Sequence, residues 1–120
     1  MKRRLLAAVC AATMVFAMGT VAFADDEVKA TGDEKIALIT MDSIDQHWIT
    51  LNEGAQKAAE EFGVTVDFMS PNTKDDAQQI ECVNNAVAGG YGAIMVAANG
   101  PDAISSALQE AVDGGVKIVY

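Results

Sequence analysis

The stretch KIALITMDSIDQHW, residues 35–48, combines two different sequence patterns. Its first six residues form an apolar and β-branched run after the lysine, which is typical of a strand buried on both faces of a sheet. The next eight residues hold two aspartates, a serine, a glutamine, the only histidine and the only tryptophan of the chain. We interpret the stretch as a strand that ends in a polar and aromatic loop, followed by a helix.

The same alternation of strand and helix continues to the end of the sequence. Segments 64–69, 93–98 and 116–120 have the composition of strands. Apolar residues recur at steps of three and four in the three segments between the strands, and each of these predicts an amphipathic helix. We expect the buried stripes to be Trp48, Leu51, Ala55, Ala58 and Phe62 in the first helix, Ala77, Ile80, Val83 and Val87 in the second, and Ile104, Ala107, Leu108 and Ala111 in the third.

A β-α-β-α-β-α-β order predicts an α/β fold with a parallel sheet, right-handed crossovers and helices on both faces. Segments 35–40 and 93–98 are continuously apolar, so we expect them to be central strands. Segment 64–69 alternates between apolar and polar residues and is expected at an edge. The predicted strand order is therefore 2-1-3-4.

The predicted order places a change of chain direction between the first and third strands. Ligands of open parallel sheets bind beyond the carboxyl ends of the strands at such a switch point. The loops MDSIDQHW and AANGPD flank it, and both lead into helix N-termini, which favour oxygen-rich ligands. The candidate ligand-binding residues are Asp42, Asp45, His47, Trp48 and Asn99.

Each candidate also has a purely structural interpretation. Asp45 and Asn99 are suited to capping the helices that follow them, and Asp42 to closing a turn. Trp48 begins the stripe of its helix, so it is either a core residue or a stacking surface for a sugar ring. His47 has no second histidine or cysteine at ligand spacing, so we predict neither a metal site nor a catalytic role.

The first 24 residues have the layout of a secretory signal peptide. A basic start, Lys2 to Arg4, precedes an uncharged apolar run that ends in Ala-Phe-Ala, an A-x-A cleavage site. An uncleaved membrane anchor is the alternative, because about 20 apolar residues can span a bilayer. We expect residues 25–34 to form a flexible lead-in and residues 35–120 to form one truncated domain.

Composition excludes several classes of function. The net charge is −9 and the lysines after residue 24 are scattered, which argues against nucleic-acid binding. The glycine-rich segment 89–92 precedes a strand, whereas a nucleotide loop lies between strand and helix. Cys82 lies outside the predicted inward stripe and has no cation nearby to activate it. With no nucleophile–base pair visible, we expect no enzyme and no cofactor.

These elements taken in order resemble the N-terminal lobe of type I, sugar-binding periplasmic proteins of ABC importers. The resemblance is carried by KIALIT, the polar loop, EGAQKAAEEFGV, QQIECVNNAVAGGYGAIMVAANGPDAISSALQEA and GVKIVY. It implies a protein of two similar lobes that closes on its ligand like a hinge. In sugar-binding members the first loop carries an asparagine or aspartate followed by two aromatics that contact the sugar, and Asp45, His47 and Trp48 fall on these positions. Ala97-Ala98 stand where the family often has Asn-Pro, and Asn99 follows.

The resemblance implies an exported protein, periplasmic or elsewhere in the cell envelope or outside it. It would bind a small polar molecule, a sugar or a sugar-like compound, and deliver it to the membrane permease of an ABC importer. The ligand-sensing ectodomain of a membrane receptor, built on the same lobe, is the alternative.

Overall fold

Strands and helices alternate along residues 32–120, the part of the chain that this computed structural model describes. The predicted signal peptide and most of the lead-in lie outside the described residues. Within these residues no helix is both long and apolar enough to cross a membrane. The elements are β1 (Lys35–Ile39), α1 (Gln46–Phe62), β2 (Thr65–Phe68), α2 (Asp76–Ala88), β3 (Ala93–Val96), α3 (Pro101–Asp113) and β4 (Lys117–Val119).

The four strands form one parallel sheet in the order β2-β1-β3-β4, as predicted. Ile36 pairs with Val66 of β2, and Ile39 pairs with Val96 of β3. The two continuously apolar strands are thus neighbours, and the alternating strand lies at an edge. The prediction succeeded because strands buried on both faces need apolar side chains at every position.

Each face of the sheet packs against different helices. On one face, Ala37, Ile39 and Ile94 contribute to the larger core cluster together with buried residues of α2 and α3. On the other face, Leu38 and Val66 pack against Ala59 of α1. The larger cluster thus depends on two helices and the smaller one on α1.

The predicted stripe is right for α3 and wrong for most of α1. All four predicted residues of α3 are buried. In α1, however, Leu51 is 44% exposed and Phe62 is 66% exposed, whereas Ala59 is buried. The reason is that α1 contacts the sheet mainly at β2, so the part of its apolar surface that includes Leu51 extends beyond the smaller cluster.

The stripe predicted for α2 is rotated relative to the observed one. Ala77 and Val87 are exposed, and Gln79 is buried instead, on the same face as Val83 and Ala86. Cys82, predicted to lie off the inward stripe, is partly buried against the larger cluster. Burial and the neighbouring charge of Glu81 raise the pKa of the Cys82 thiol. A raised pKa disfavours the reactive thiolate, consistent with an unreactive cysteine.

The difference between α3 and α1 can be tested with two matched substitutions. We expect Leu108→Ala to lower the free energy of unfolding by about 2–5 kcal/mol, because Leu108 is buried in the core. Leu51→Ala removes the same atoms from an exposed site, so it should cost less than about 1 kcal/mol. Urea denaturation of the chain measures both. Equal losses would contradict the packing described here.

Candidate functional site

The loops that follow β1 and β3 lie side by side at the carboxyl edge of the sheet. The Ala97 N–H donates to the Ile39 carbonyl at 2.9 Å, so the two strands remain paired up to their ends. The loop after β1 continues into the N-cap of α1, and the loop after β3 into that of α3. The predicted proximity of these two loops is therefore confirmed.

A buried glutamine of α2 joins the two loops. Gln79 Nε2 donates to the carbonyls of Thr40 and Ala97, each at 2.9 Å. Its Oε1 accepts the backbone N–H of Asn99, also at 2.9 Å. Sequence reasoning missed Gln79, although its spacing from Val83 and Ala86 places it on the buried face. One amide thus fixes three backbone groups at the edge.

Asp42 closes the turn after β1. Its Oδ1 accepts the backbone N–H groups of Ile44 at 3.0 Å and Asp45 at 2.7 Å. The hydrogen bond from Asp45 is the main reason that the pKa of Asp42 lies below its ordinary value, while burial acts in the opposite direction. The buried carboxylate is therefore engaged in shaping the loop, and its Oδ2 lies 3.6 Å from Lys74 Nζ.

Asp45 is the N-cap of α1. Its Oδ1 accepts the His47 N–H at 3.0 Å. Its Oδ2 lies 3.6 Å from Lys74 Nζ, and the side chain remains partly open to solvent. The capping role is therefore observed, and it leaves this carboxylate accessible at the mouth of the loop.

His47 and Trp48 form an aromatic pair on the first turn of α1. Their rings meet edge to face, with centroids 4.6 Å apart and an interplanar angle of 75°. His47 is exposed, whereas Trp48 is half-buried and lines an apolar groove of about 550 Å³ together with Leu38, Leu51 and Met95. Trp48 is thus neither a fully buried core residue nor part of the polar loop surface.

Asn99 does not cap α3, which corrects the structural interpretation made from the sequence. Gly100 is the N-cap, and no side chain makes a capping hydrogen bond there. Asn99 Nδ2 instead donates to Asp76 Oδ1 at 2.5 Å. An added Cβ at Gly100 would stand 2.6 Å from the Asp76 carboxylate, so a larger residue there would require Asp76 to shift. The Asn99 side chain is therefore hydrogen-bonded to the first residue of α2.

The loop between β2 and α2 completes the polar part of the edge. Ser43 Oγ donates to Asn72 Oδ1 at 3.0 Å, and Lys74 pairs with both loop aspartates. Asn72 and Lys74 were missed because nothing in their local sequence indicates contacts with another loop. A cavity of about 460 Å³ is lined by Asp42, Ile44, Asp45, Asn72, Thr73 and Lys74.

The structure thus divides the five predicted residues among three neighbouring places. Asp42 and Asp45 share the polar cavity, while His47 and Trp48 lie on the adjoining turn of α1. Asn99 lies on the other side of Gln79. Among residues 32–120 there is no group of three or more His, Cys, Asp or Glu side chains placed to hold a metal ion.

An open parallel sheet with helices on both faces, whose strand order reverses between β1 and β3, defines the doubly wound class of α/β domain. Within this class, residues 36–120 match the family described as periplasmic binding protein domain. The chain belongs to that family.

Solved structures of longer proteins share this fold. LsrB from Clostridium saccharobutylicum, in complex with AI-2, is 28% identical with a TM-score of 0.69, and the match covers 70% of this chain and 26% of LsrB. An ABC transporter solute-binding protein from Clostridium phytofermentas with bound L-rhamnose is 29% identical with a TM-score of 0.69, covering 72% and 27%. One from Agrobacterium vitis bound with alpha-D-tagatopyranose is 26% identical with a TM-score of 0.69, covering 72% and 29%. The chain therefore spans less than a third of each of these proteins.

The Gln79 amide should be a major source of stability at this edge. Gln79→Leu leaves two carbonyls and one N–H without their partner in a buried place, so we expect a loss of about 2–5 kcal/mol in the free energy of unfolding. Gln78→Leu, one position earlier and exposed, is the control and should change it by less than about 0.5 kcal/mol. Similar losses for the two variants in urea denaturation would contradict the bridging role.

The lowered pKa of Asp42 predicts a pH dependence of stability. Because the folded state favours the carboxylate, its contribution is present above the ordinary value of 3.8 and is lost as the pH falls through the lowered value. Asp42→Asn should therefore be less stable than the original chain at neutral pH, and the difference should narrow under acid conditions. Thermal denaturation at a series of pH values measures this difference in stability. Glu61→Gln, at an exposed carboxylate, is the control and should not show the same narrowing. If the difference in stability between the original chain and Asp42→Asn is the same at every pH, the Asp42 carboxylate does not stabilise the fold through its charge.

Proposed function

We propose that the chain is the N-terminal lobe of an exported solute-binding protein that captures a sugar or sugar-like molecule for an ABC importer. The observation that carries this proposal is the match of residues 36–120 to the periplasmic binding protein domain. Relatives of 26–29% identity carry AI-2, L-rhamnose or tagatose in their structures. Residues 1–24 serve as the export signal, residues 25–34 as the lead-in, and a membrane permease is the partner.

Asp45, His47 and Trp48 contact the ligand in this lobe. The Asp45 side chain is 44% exposed, so its carboxylate can accept hydrogen bonds from ligand hydroxyls. Trp48, on the first turn of α1, lines an apolar groove that can pack against the face of a sugar ring. Asp42 and Asn99 act indirectly, because their side chains already hold the loops through bonds to Asp45 and Asp76. The chemistry is binding without turnover.

The proposal is tested on the complete protein by a thermal-shift screen of sugars, followed by calorimetry on those that stabilise it. Asp45→Ala should weaken binding of such a sugar by roughly ten- to a hundredfold, since a buried hydroxyl without its partner costs about 1–3 kcal/mol. A screen in which no sugar stabilises the protein would contradict the proposed function.

Asp75→Ala provides the matched control. Asp75 is the N-cap of α2 and accepts the Gln78 N–H at 2.8 Å, so both variants remove one helix cap. Only Asp45→Ala should weaken sugar binding. Equal weakening by both variants would assign the effect to capping and remove Asp45 from the site.

A further inference from the structure

The lysines of the described residues are distributed unevenly over the fold. Lys35 and Lys117 begin β1 and β4, so they lie at the amino edge of the sheet, and Lys57 lies on the C-terminal half of α1. Residues 32–120 contain no arginine. Lys74 is therefore the one lysine of this part of the chain at the carboxyl edge, and it stands beside the loop aspartates.

Lys74 Nζ bridges two carboxylates of the loop after β1. It lies 3.6 Å from Asp42 Oδ2 and 3.6 Å from Asp45 Oδ2. The Asp42 side chain is only 4% exposed, and a charge so buried needs a partner. The Lys74 side chain itself is 52% exposed, so the ammonium remains accessible from solvent.

The position of Lys74 is unfavourable for the helix that follows it. It directly precedes Asp75, the N-cap of α2, and a helix N-terminus disfavours nearby cations. The carboxylates of Asp42 and Asp45 therefore explain its placement better than the helix does. The contact between Ser43 and Asn72 holds the same two loops together next to it.

The same three charges border the polar cavity of about 460 Å³. Two carboxylates and one ammonium leave a single negative charge there. Without Lys74 two negative charges would remain, and the cavity would attract cations more strongly.

We propose that Lys74 is a specificity-determining residue of the ligand site, because it lowers the preference of the site for cationic sugars relative to neutral and anionic ones. The inference rests on the proposed function, because it assumes that the ligand contacts Asp45. Lys74 acts by compensating the Asp45 carboxylate and by placing its own ammonium beside the ligand. Lys74 therefore determines how the site ranks sugars of different charge.

The test compares the complete protein with its Lys74→Gln and Lys74→Arg variants. The probes are D-glucose, D-galactose and L-rhamnose, together with glucosamine, galactosamine, glucuronate and galacturonate, and calorimetry gives each affinity. In Lys74→Gln we expect the preference for amino sugars over neutral sugars to rise about tenfold and the preference for uronates to fall. Lys74→Arg should keep the original order.

Salt and a second lysine separate an electrostatic role from a structural one. The change in preference should shrink between 20 mM and 1 M salt, because the ammonium is half exposed and salt screens it. Lys57→Gln makes the same change of charge on α1 and should leave the order unchanged.

Two results would overturn the proposal, and they differ in meaning. If the original protein binds sugars and Lys74→Gln keeps the same order of preference, Lys74 does not determine specificity, and the proposed function stands. If the original protein binds neither these probes nor any sugar of the wider screen, the proposed function is contradicted and the inference about Lys74 falls with it.

Discussion

The carboxyl edge of the sheet is organised around the buried amide of Gln79. This side chain satisfies the Thr40 and Ala97 carbonyls and the Asn99 N–H, which belong to the ends of two neighbouring strands. The strands stop pairing here, so these groups would lack partners in a buried place. Because α2 supplies the amide, the packing of that helix fixes how the two loops stand relative to each other.

The loop after β1 is also held from its other side. The Thr40 N–H donates to Ser70 Oγ at 2.7 Å, and the Thr40 hydroxyl donates to the Asp42 carbonyl at 2.6 Å. The Asp42 carboxylate then holds the turn. Gln79 and Ser70 thus fix the residue from which the loop starts, and such support lowers the entropy lost when a loop orders around a ligand.

The sequence predicts the topology better than it predicts the helix surfaces. Continuous apolar runs identify β1 and β3 as central strands, because burial on both faces constrains every position. The stripe of α3 is equally clear. For α1 and α2 the apolar pattern does not specify how much of each helix the sheet covers. The exposure of Leu51 therefore could not be predicted from it. The spacing of Gln79 places it on the face of Val83 and Ala86, but the pattern does not indicate its partners, which are backbone groups of other elements.

The same distinction between local and distant contacts applies to the site. The capping role of Asp45 is visible from the sequence because its partner, the His47 N–H, lies two residues away. Ser43 and Asn72 are separated by 29 residues, and only the pairing of β1 with β2 brings their loops together. The carboxyl edge of the sheet therefore carries a cavity lined by Asp42, Asp45 and Lys74, and the aromatic pair His47–Trp48 lies on the adjoining turn of α1. Asp45 links the two surfaces, because its carboxylate lines the cavity and its bond to the His47 N–H caps the turn of α1 that carries the aromatic pair.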